Sequence, residues 1–356
     1  MGATLKMKTI ERIDKNGMLD LLMEFPQQCE IAKGLGYAAD LLFKNRDFKN
    51  ILFCGIGGSA IGSNLVKSYL YFDSPIPMGL SSEPNIPAWV NKDSLVFITS
   101  YSGNTEEILN AYKEAKHKAA TIIVVSSGGK LKELSEHDNI TFIEIPKGLL
   151  PRSALGYLSI IPLCVLSRLN IVKDRSAYID EMINVLKDLR EKHLRPELDT
   201  KDNLAKAIAA KLLDKLIVVY APSLHFDSVA MRFRCQLNEN SKTLAYSHLF
   251  PDVNHNEIVG WYNPKKIFKH LVVVIFKDAY LNPYIDKGIA LTENILKEEA
   301  IETISINSKG SDLLSRIYSL IYTGDFISFY LAIAYGVDPV PTQRISYLKD
   351  RLLENI

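Results

Sequence analysis

The sequence LVFITSYSGNTEEILNAY, from Leu95 to Tyr112, decides the fold class of this chain. It begins with a short apolar run typical of a buried strand and ends with a helix signature that has Glu106 and Glu107 in its first turn. Between them lies a loop of small hydroxyl side chains around Gly103. This order predicts an anion cradle, because free backbone N–H groups and the helix dipole face the turn. An ordinary βα loop rich in serine and threonine would have the same pattern, so this stretch alone leaves both interpretations open.

A second stretch of the same kind lies upstream. Residues 50–54 form a predicted strand, residues 55–59 a glycine-rich turn, and residues 60–71 a helix. Glycines let the backbone approach a bound group closely, and serines or threonines add uncharged hydroxyl donors. The turn also fits the weaker dinucleotide fingerprint G-x-G-x-x-A, with Asp73 close to the position of a ribose-binding acid, so a nucleotide site is a rival. The candidate anion-binding residues of the two turns are Gly57, Gly58, Ser59, Ser100, Ser102 and Thr105.

The alternation of strands and helices continues through the rest of the chain. It predicts further strands at 120–125, 139–145, 216–220, 271–276 and 302–306, within two similar α/β halves. Before the first strand, helices are expected over 5–47, with one ended by Pro26 and two more at 28–34 and 37–43. Residues 72–94 read as an extended connection, and 174–213 as a charged, solvent-facing helix pair. Apolar helices are expected at 154–168 and 311–335, and a final helix at 343–354.

Composition limits the classes of function. The 356 residues carry a net charge of +1 with 47% hydrophobic residues, which argues against a basic nucleic-acid-binding surface. The apolar runs read as too short for a membrane span, and the N-terminus lacks a signal-peptide core. The four cysteines lie far apart without a CxxC pair, which favours buried thiols. We therefore expect a soluble cytoplasmic protein with no membrane or nucleic-acid partner.

The stretch from Arg234 to Trp261 is unusually rich in asparagine, histidine and glutamate. Glu239 follows a helical pattern, and His248 and His255 come after it in what reads as an irregular loop. A carboxylate and imidazoles can exchange protons near neutral pH, so the stretch is a candidate for proton transfer. A metal site is a competing idea, but the spacing fits neither HExxH nor an i, i+4 pair. A set of hydrogen-bonded polar loop residues remains an equal alternative for any single residue.

Five motifs in order resemble the bifunctional phosphoglucose/phosphomannose isomerases, enzymes with tandem sugar-isomerase (SIS) domains. They are GIGGSAIG at 55–62, TSYSGNTEE at 99–107, PRSALGY at 151–157, LNEN at 237–240 and VNHNEIVGW at 253–261. The resemblance implies an α/β fold with two SIS-type doubly wound parallel-sheet subdomains, each a three-layer αβα sandwich, and flanking helices. The expected divisions are N-terminal helices at 1–47, SIS domains at 48–165 and 166–335, and a C-terminal helix at 336–356.

The resemblance also implies a reaction and a site. The expected activity is interconversion of glucose 6-phosphate and fructose 6-phosphate, and also mannose 6-phosphate, without cofactor or metal. Glu239 matches the base that moves a proton through a cis-enediol, and Arg152 the arginine that stabilises the enediolate. His255 matches a ring-opening histidine supplied by the partner subunit of a homodimer, while His248 is interpreted as structural. The two hydroxyl-rich turns match the phosphate pocket, and Lys349 resembles a lysine near the site in related isomerases.

One departure concerns the C-terminal segment. The family usually has Pro-Thr-Pro there, with a threonine linked to the mannose configuration, whereas this chain has Val340 in its place and Thr342 two residues later. The departure bears on the mannose activity. Two other classes also stay open: a non-catalytic SIS regulator that senses a phosphosugar, and a nucleotide-binding oxidoreductase built on residues 55–60. The serine-rich second turn speaks against the oxidoreductase.

Overall fold

The chain begins with helices that pack on the core of the protein. The computed structural model describes residues 5–43 and 47–353, without the side chains at 349, 350, 352 and 353. The first three helices are α1 (Met7–Ile13), α2 (Met18–Met23) and α3 (Phe25–Ala38). Helix α3 buries Phe25, Cys29 and Ala32 and makes its main contact with a later helix over 155–168.

A five-stranded parallel sheet follows, with the strand order β2-β1-β3-β4-β5. The strands are β1 (Asn50–Cys54), β2 (Met78–Ser81), β3 (Ser94–Thr99), β4 (Thr121–Ser126) and β5 (Thr141–Glu144). The helices of this half are α4 (Gly58–Tyr69), α5 (Glu106–His117), α6 (Gly129–Asp138) and α7 (Leu155–Arg168). The connection after β1 runs to β2 on one side of the sheet, and the connection after β3 runs to β4 on the other side. Such a switch point leaves a crevice beyond the carboxyl ends of β1 and β3.

The first half is a three-layer sandwich, as the burial of β1 demonstrates. Ile51 and Phe53 belong to one apolar cluster together with residues of α4 and α7. Leu52 and Cys54 belong to a second cluster together with Ile108 of α5. Alternate residues of a strand point to opposite faces, so helices cover the sheet on both sides.

The second half repeats this arrangement with a four-stranded parallel sheet in the order β7-β6-β8-β9. Its strands are β6 (Leu216–Pro222), β7 (Ala245–Phe250), β8 (Leu271–Lys277) and β9 (Glu302–Asn307). As in the first half, the second strand, here β7, is an edge strand that pairs with the first, β6. Strands β8 and β9 follow on the other side of β6. The prediction of two similar α/β halves is confirmed. The helices are α8 (Ser176–Leu189), α9 (Leu204–Leu212), α10 (Asp227–Glu239), α11 (Glu257–Gly260), α12 (Lys265–Phe268), α13 (Pro283–Glu298), α14 (Leu313–Tyr335) and α15 (Gln343–Leu353).

Helix α14 forms the centre of the second half. It packs against α8, α9 and α10. By length and composition alone it could cross a membrane, with a mean hydropathy of 1.4, but that apolar window is fully buried inside the fold. The expectation that the apolar runs are too short for a membrane span is therefore wrong for this helix. Its burial on all sides explains why it is apolar around its whole circumference.

Several sequence-based boundaries are wrong for identifiable reasons. Pro26 does not end a helix; it lies in the first turn of α3, where its missing N–H removes no helical hydrogen bond. The helices predicted at 28–34 and 37–43 are the single helix α3 up to Ala38. The extended connection 72–94 contains strand β2, and the loop predicted after Glu239, with His248 and His255, contains strand β7. Helix α6 was not predicted. Helix α8 is not merely solvent-facing, because it buries Ile179, Met182, Ile183, Leu186 and Leu189.

Candidate active site

The two hydroxyl-rich turns meet at the carboxyl ends of β1 and β3, which pair directly with each other. The Tyr101 N–H donates to the Ser59 hydroxyl at 3.3 Å, so the second turn is hydrogen-bonded to the first. The hydroxyls of Ser100 and Thr105 lie 3.0 Å apart. Ser59 and Ser100 are buried, whereas Ser102 is exposed at the rim. The structure therefore brings the predicted anion-binding residues of both turns to one crevice, at the switch point of the sheet.

The glycines of the first turn are required by its geometry. Gly57 has a φ of +59°, which favours glycine over any residue with a Cβ atom. A Cβ atom on Gly58 would lie 2.8 Å from the carbonyl oxygen of Pro151. The short helical turn that carries Arg152 therefore packs directly on the first residue of α4, and this contact brings Arg152 beside the first candidate anion-binding turn.

Arg152 is 7% exposed, and oxygen atoms from two segments, residues 239–240 and 339–340, surround its guanidinium group. Its Nε donates to the Asn240 Oδ1 at 2.9 Å. One terminal nitrogen donates to the carbonyls of Pro339 at 3.1 Å and Val340 at 2.8 Å. The other lies 3.5 Å from the carboxylate of Glu239. Burial lowers the pKa of Arg152, and the Glu239 charge opposes that shift.

Glu239 is the last residue of helix α10. Its side chain is 32% exposed and lines a cleft of about 670 Å³ between the end of α10 and residues 337–345. Arg152 and Glu239 are 87 positions apart in the sequence, and the packing of the two halves brings their charged groups together. A carboxylate beside a fixed guanidinium can take up a proton while the arginine stabilises negative charge that develops nearby.

Lys242 is a further residue of this region that the sequence did not point to. Its ammonium donates to the carbonyls of Glu239 at 2.7 Å, Asn240 at 3.2 Å and Pro339 at 2.9 Å. Burial of the ammonium, and then the nearby charge of Arg152, lower the pKa of Lys242 to about 8. A lysine just after a predicted helix end was the available signal, because such a lysine can satisfy the last carbonyls.

The C-terminal segment reaches the site through its backbone. The carbonyls of Pro339 and Val340 both accept from Arg152, so the position of the family threonine is adjacent to the arginine. Val340 is half-buried. Lys349 lies on α15, but its side chain falls outside the described residues, so no contact is assigned to it.

His255 does not meet Glu239 within one chain. Glu239 precedes β7, and His255 follows it at the opposite end of that strand. The six residues of β7 span about 16 Å at the usual rise of about 3.3 Å per residue. The interpretation of the residues after Glu239 as one irregular loop with His248 and His255 is therefore wrong, because β7 contains His248 and separates Glu239 from His255. His255 is exposed on the far side.

A hydrogen-bonded chain fixes the loop that carries His255. The Trp261 indole donates to the Tyr220 hydroxyl at 3.1 Å, and that hydroxyl donates to Glu257 at 2.5 Å. His248 lies 2.5 Å from Glu257 through Nδ1 and 3.1 Å from Asp252 through Nε2. Burial acts to lower the pKa of His248, but the bonds to both carboxylates outweigh it and raise that pKa. These contacts fit the interpretation of His248 as structural.

The nucleotide-binding alternative finds no support at its acidic residue. Asp73, the acid that would bind a ribose, pairs with the buried guanidinium of Arg175. Within residues 5–43 and 47–353, no group of three or more histidine, cysteine or acidic side chains is arranged to hold a metal ion. The three cysteines Cys29, Cys54 and Cys164 are buried free thiols, and Cys235 is half-buried.

Comparisons with known proteins show what this chain is similar to. Residues 201–352 match the family model described as bacterial phospho-glucose isomerase C-terminal SIS domain. A bifunctional phosphoglucose/phosphomannose isomerase of Caldicellulosiruptor bescii is 39% identical over 338 residues, 95% of this chain and 99% of the relative. One of the same name from Aquifex aeolicus is 33% identical, over 86% of this chain and 91% of the relative. A hypothetical protein of Thermus thermophilus superposes with a TM-score of 0.74 at 15% identity, over 97% of this chain and 92% of that chain.

The repeated parallel sheets and the match over 201–352 define a protein with tandem SIS-type domains. Within that class, the relatives at 39% and 33% identity decide the family. The chain belongs to the family of bifunctional phosphoglucose/phosphomannose isomerases. The resemblance drawn from the five motifs is confirmed.

Proposed function

We propose that this protein interconverts glucose 6-phosphate, fructose 6-phosphate and mannose 6-phosphate as an aldose–ketose isomerase. Membership of the family supports this activity. The observation that carries the proposal is the pair of Arg152 and Glu239, 3.5 Å apart, next to two hydroxyl-rich turns at a sheet switch point. Such a site offers an anion pocket, a base and a fixed cation within one crevice region.

The sugar phosphate is proposed to bind at the two turns. Backbone N–H groups at the starts of α4 and α5 favour an anion through the helix dipoles, and the hydroxyls add neutral donors. This explains how a chain of net charge +1 can take a dianionic substrate. The proposed phosphate-binding residues are Gly57, Gly58, Ser59, Ser100, Ser102 and Thr105.

Glu239 is proposed to act as the base. It takes the proton from C2 of the aldose, the C1 carbonyl oxygen gains charge, and a cis-enediol forms. The C1 oxygen takes up the proton that the C2 hydroxyl gives up, Glu239 returns its proton to C1, and C2 becomes the carbonyl carbon of the ketose. Arg152 stabilises the negative enediolate oxygen during both transfers. The reaction balances within the substrate, and neither an outside electron acceptor nor an outside donor takes part.

His255 is proposed to open the sugar ring in a homodimer, where it reaches the site of the partner subunit. Two features support this arrangement: its exposure, and its location beyond the opposite end of β7 from Glu239 in the same chain. We also propose a cytoplasmic location. The domain boundaries are proposed as N-terminal helices to residue 47, SIS domains at 48–165 and 166–335, and a C-terminal segment from 336.

A coupled assay in the presence of EDTA tests the proposal. Fructose 6-phosphate is supplied, and glucose 6-phosphate and mannose 6-phosphate are detected separately. We expect both products. Glucose 6-phosphate alone would limit the activity to phosphoglucose isomerase and direct attention to Val340. No product from the folded protein would overturn the proposal in favour of a phosphosugar-sensing regulator.

A further inference from the structure

Two buried arginines lie next to each other but are held in different ways. Arg232 donates to the buried Asp325 carboxylate, from Nε at 3.0 Å and from Nη2 at 2.7 Å, so its charge is neutralised. Arg232 also donates to the backbone carbonyl of Arg152 at 3.1 Å. The Arg152 guanidinium, in contrast, donates to an amide and to two backbone carbonyls. Among the described side chains, Glu239 is the one carboxylate that pairs with Arg152, and it does so at 3.5 Å.

Asn240 is the side chain that orients Arg152. It is fully buried at the end of α10, directly after the proposed base. Its Oδ1 accepts from Arg152, and its Nδ2 donates to the Ser328 hydroxyl at 3.0 Å. Ser328 in turn donates its proton to the carbonyl of Asp325 at 2.7 Å. Because a guanidinium can only donate and the Ser328 proton is already used, this chain of bonds fixes which end of the amide faces Arg152.

We propose that Asn240 is a positioning residue for the isomerisation: it holds the Arg152 guanidinium with a neutral acceptor, so that the positive charge stays available to the enediolate. This inference rests on the proposed function. An aspartate at the same place would orient the arginine equally well, but its charge would neutralise the guanidinium. Both arrangements occur at α10: its Arg232 pairs with the Asp325 carboxylate of α14, whereas Asn240, directly after its last residue, gives Arg152 a neutral acceptor.

The inference predicts that changes at Asn240 weaken the stabilisation of the negative charge that develops in the reaction, and leave substrate binding almost unchanged. Among the described residues, the Asn240 side chain bonds Arg152 and Ser328 and neither of the proposed phosphate turns, so we expect ground-state binding of the sugar phosphate to depend on other residues. We expect N240D to lower kcat for fructose 6-phosphate by about 100-fold, as for loss of an oxyanion donor, with KM changed by less than about threefold. N240A removes the orientation without adding a charge, and we expect a smaller loss of about tenfold.

Two ligands separate this role from a merely structural one. 5-Phosphoarabinonate carries a carboxylate where the enediolate oxygens form, whereas sorbitol 6-phosphate carries neutral hydroxyls there. We expect N240D to bind 5-phosphoarabinonate at least about tenfold more weakly and sorbitol 6-phosphate as the native protein does. Calorimetry measures both affinities. Q236A is the matched control, because Gln236 is another buried amide of α10 that bonds Asp325 but not Arg152.

If N240D does not fold, the activities of S328A and of the double variant N240A/S328A test the inference instead. S328A removes the anchor of the Asn240 amide, and the double variant N240A/S328A should lose no more activity than N240A alone. Native kcat in N240D, additive losses in the double variant, or equal weakening of both ligands would overturn the inference. A native protein that does not isomerise fructose 6-phosphate would instead overturn the proposed function, so the two failures are distinguishable.

Discussion

The two halves of the chain use the same βα connection in different ways. In the first half, α4 begins with glycine and serine, uncharged residues whose backbone can approach an outside anion closely. In the second half, α10 begins at Asp227, whose carboxylate accepts from the Ser228 N–H at 2.5 Å and from the Ser68 hydroxyl at 2.7 Å. The anion at the second helix is therefore part of the chain, and it joins α10 to α4 of the first half.

The connections after β3 and β8 also differ between the halves: the first has uncharged hydroxyls and the second has a charged side chain of the chain itself. After β3, the hydroxyls of Ser100 and Thr105 bond each other at 3.0 Å, and among the described residues no carboxylate of the chain bonds them. After β8, Asp278 accepts from Arg316 at 2.8 Å and from Ser308 at 2.5 Å, so the corresponding place holds a buried ion pair. The second half contributes to the proposed site from its other end, through the last residue of α10. In this repeated fold, one copy carries the proposed ligand crevice, and the other fills the corresponding place with structural contacts.

The largest effect is expected at the end of α10. Glu239→Gln keeps the shape of the side chain but removes the base, and we expect kcat to fall by about 10³-fold. Binding of sorbitol 6-phosphate should stay within about threefold of the native value, because the phosphate turns are unchanged. Steady-state rates and calorimetry measure these quantities. Glu133→Gln, an exposed glutamate of α6, is the matched control. Near-native turnover in Glu239→Gln would show that the second half does not supply the base.

The next effect concerns stability. Asp278→Ala leaves the largely buried Arg316 without its carboxylate, and removal of one partner of a buried pair costs on the order of 3 kcal/mol. We expect a clear fall in the urea midpoint of unfolding and an unchanged KM for fructose 6-phosphate. Glu302→Ala breaks the more exposed pair with Lys215 and should cost less than about 1 kcal/mol. A raised KM with unchanged stability would mean that the second crevice also binds substrate.

The sequence predicted the interior strands well because their signal is local. The apolar runs that begin at Asn50, Leu216 and Leu271 start where the strands β1, β6 and β8 start. Strands β2 and β7 are edge strands with exposed positions, and the mixed sequence of β7 resembles a loop. Pairing with a distant strand is what makes these segments extended, and no local pattern records such a partner.

The site was predictable in its parts but not in its assembly. Turn chemistry pointed to Ser59 and Ser100, and a glutamate after a helical run pointed to Glu239. That Arg152 lies against Glu239 depends on contact between the halves, and so does its bond to Asn240. The expectation of an irregular loop between Glu239 and His255 is wrong because an unpredicted strand, β7, separates the two residues.

A smaller effect is expected from a comparison of one serine in each half, Ser59 in the turn after β1 and Ser223 in the turn after β6. Ser59→Ala removes a hydroxyl at the proposed phosphate turn, and hydrogen bonds to charged groups contribute about 1.5 kcal/mol or more, so KM should rise roughly tenfold. Ser223→Ala is the matched change in the turn after β6, and we expect no change in KM. Initial rates over a range of fructose 6-phosphate concentrations measure both. Equal effects at the two serines would remove the distinction between the halves.

The smallest effect concerns the choice between the epimers. The carbonyl of Val340 accepts from Arg152, so the backbone at this position lies beside the proposed reacting region. Val340→Thr adds one hydroxyl at a half-buried position, and a single hydrogen bond of about 1 kcal/mol would raise the ratio of mannose 6-phosphate to glucose 6-phosphate formed about fivefold. Thr342→Val is the matched control and should leave that ratio unchanged. If Thr342→Val lowers the ratio while Val340→Thr does not raise it, then Thr342 takes the role of the family threonine, and the departure at Val340 has no consequence for mannose.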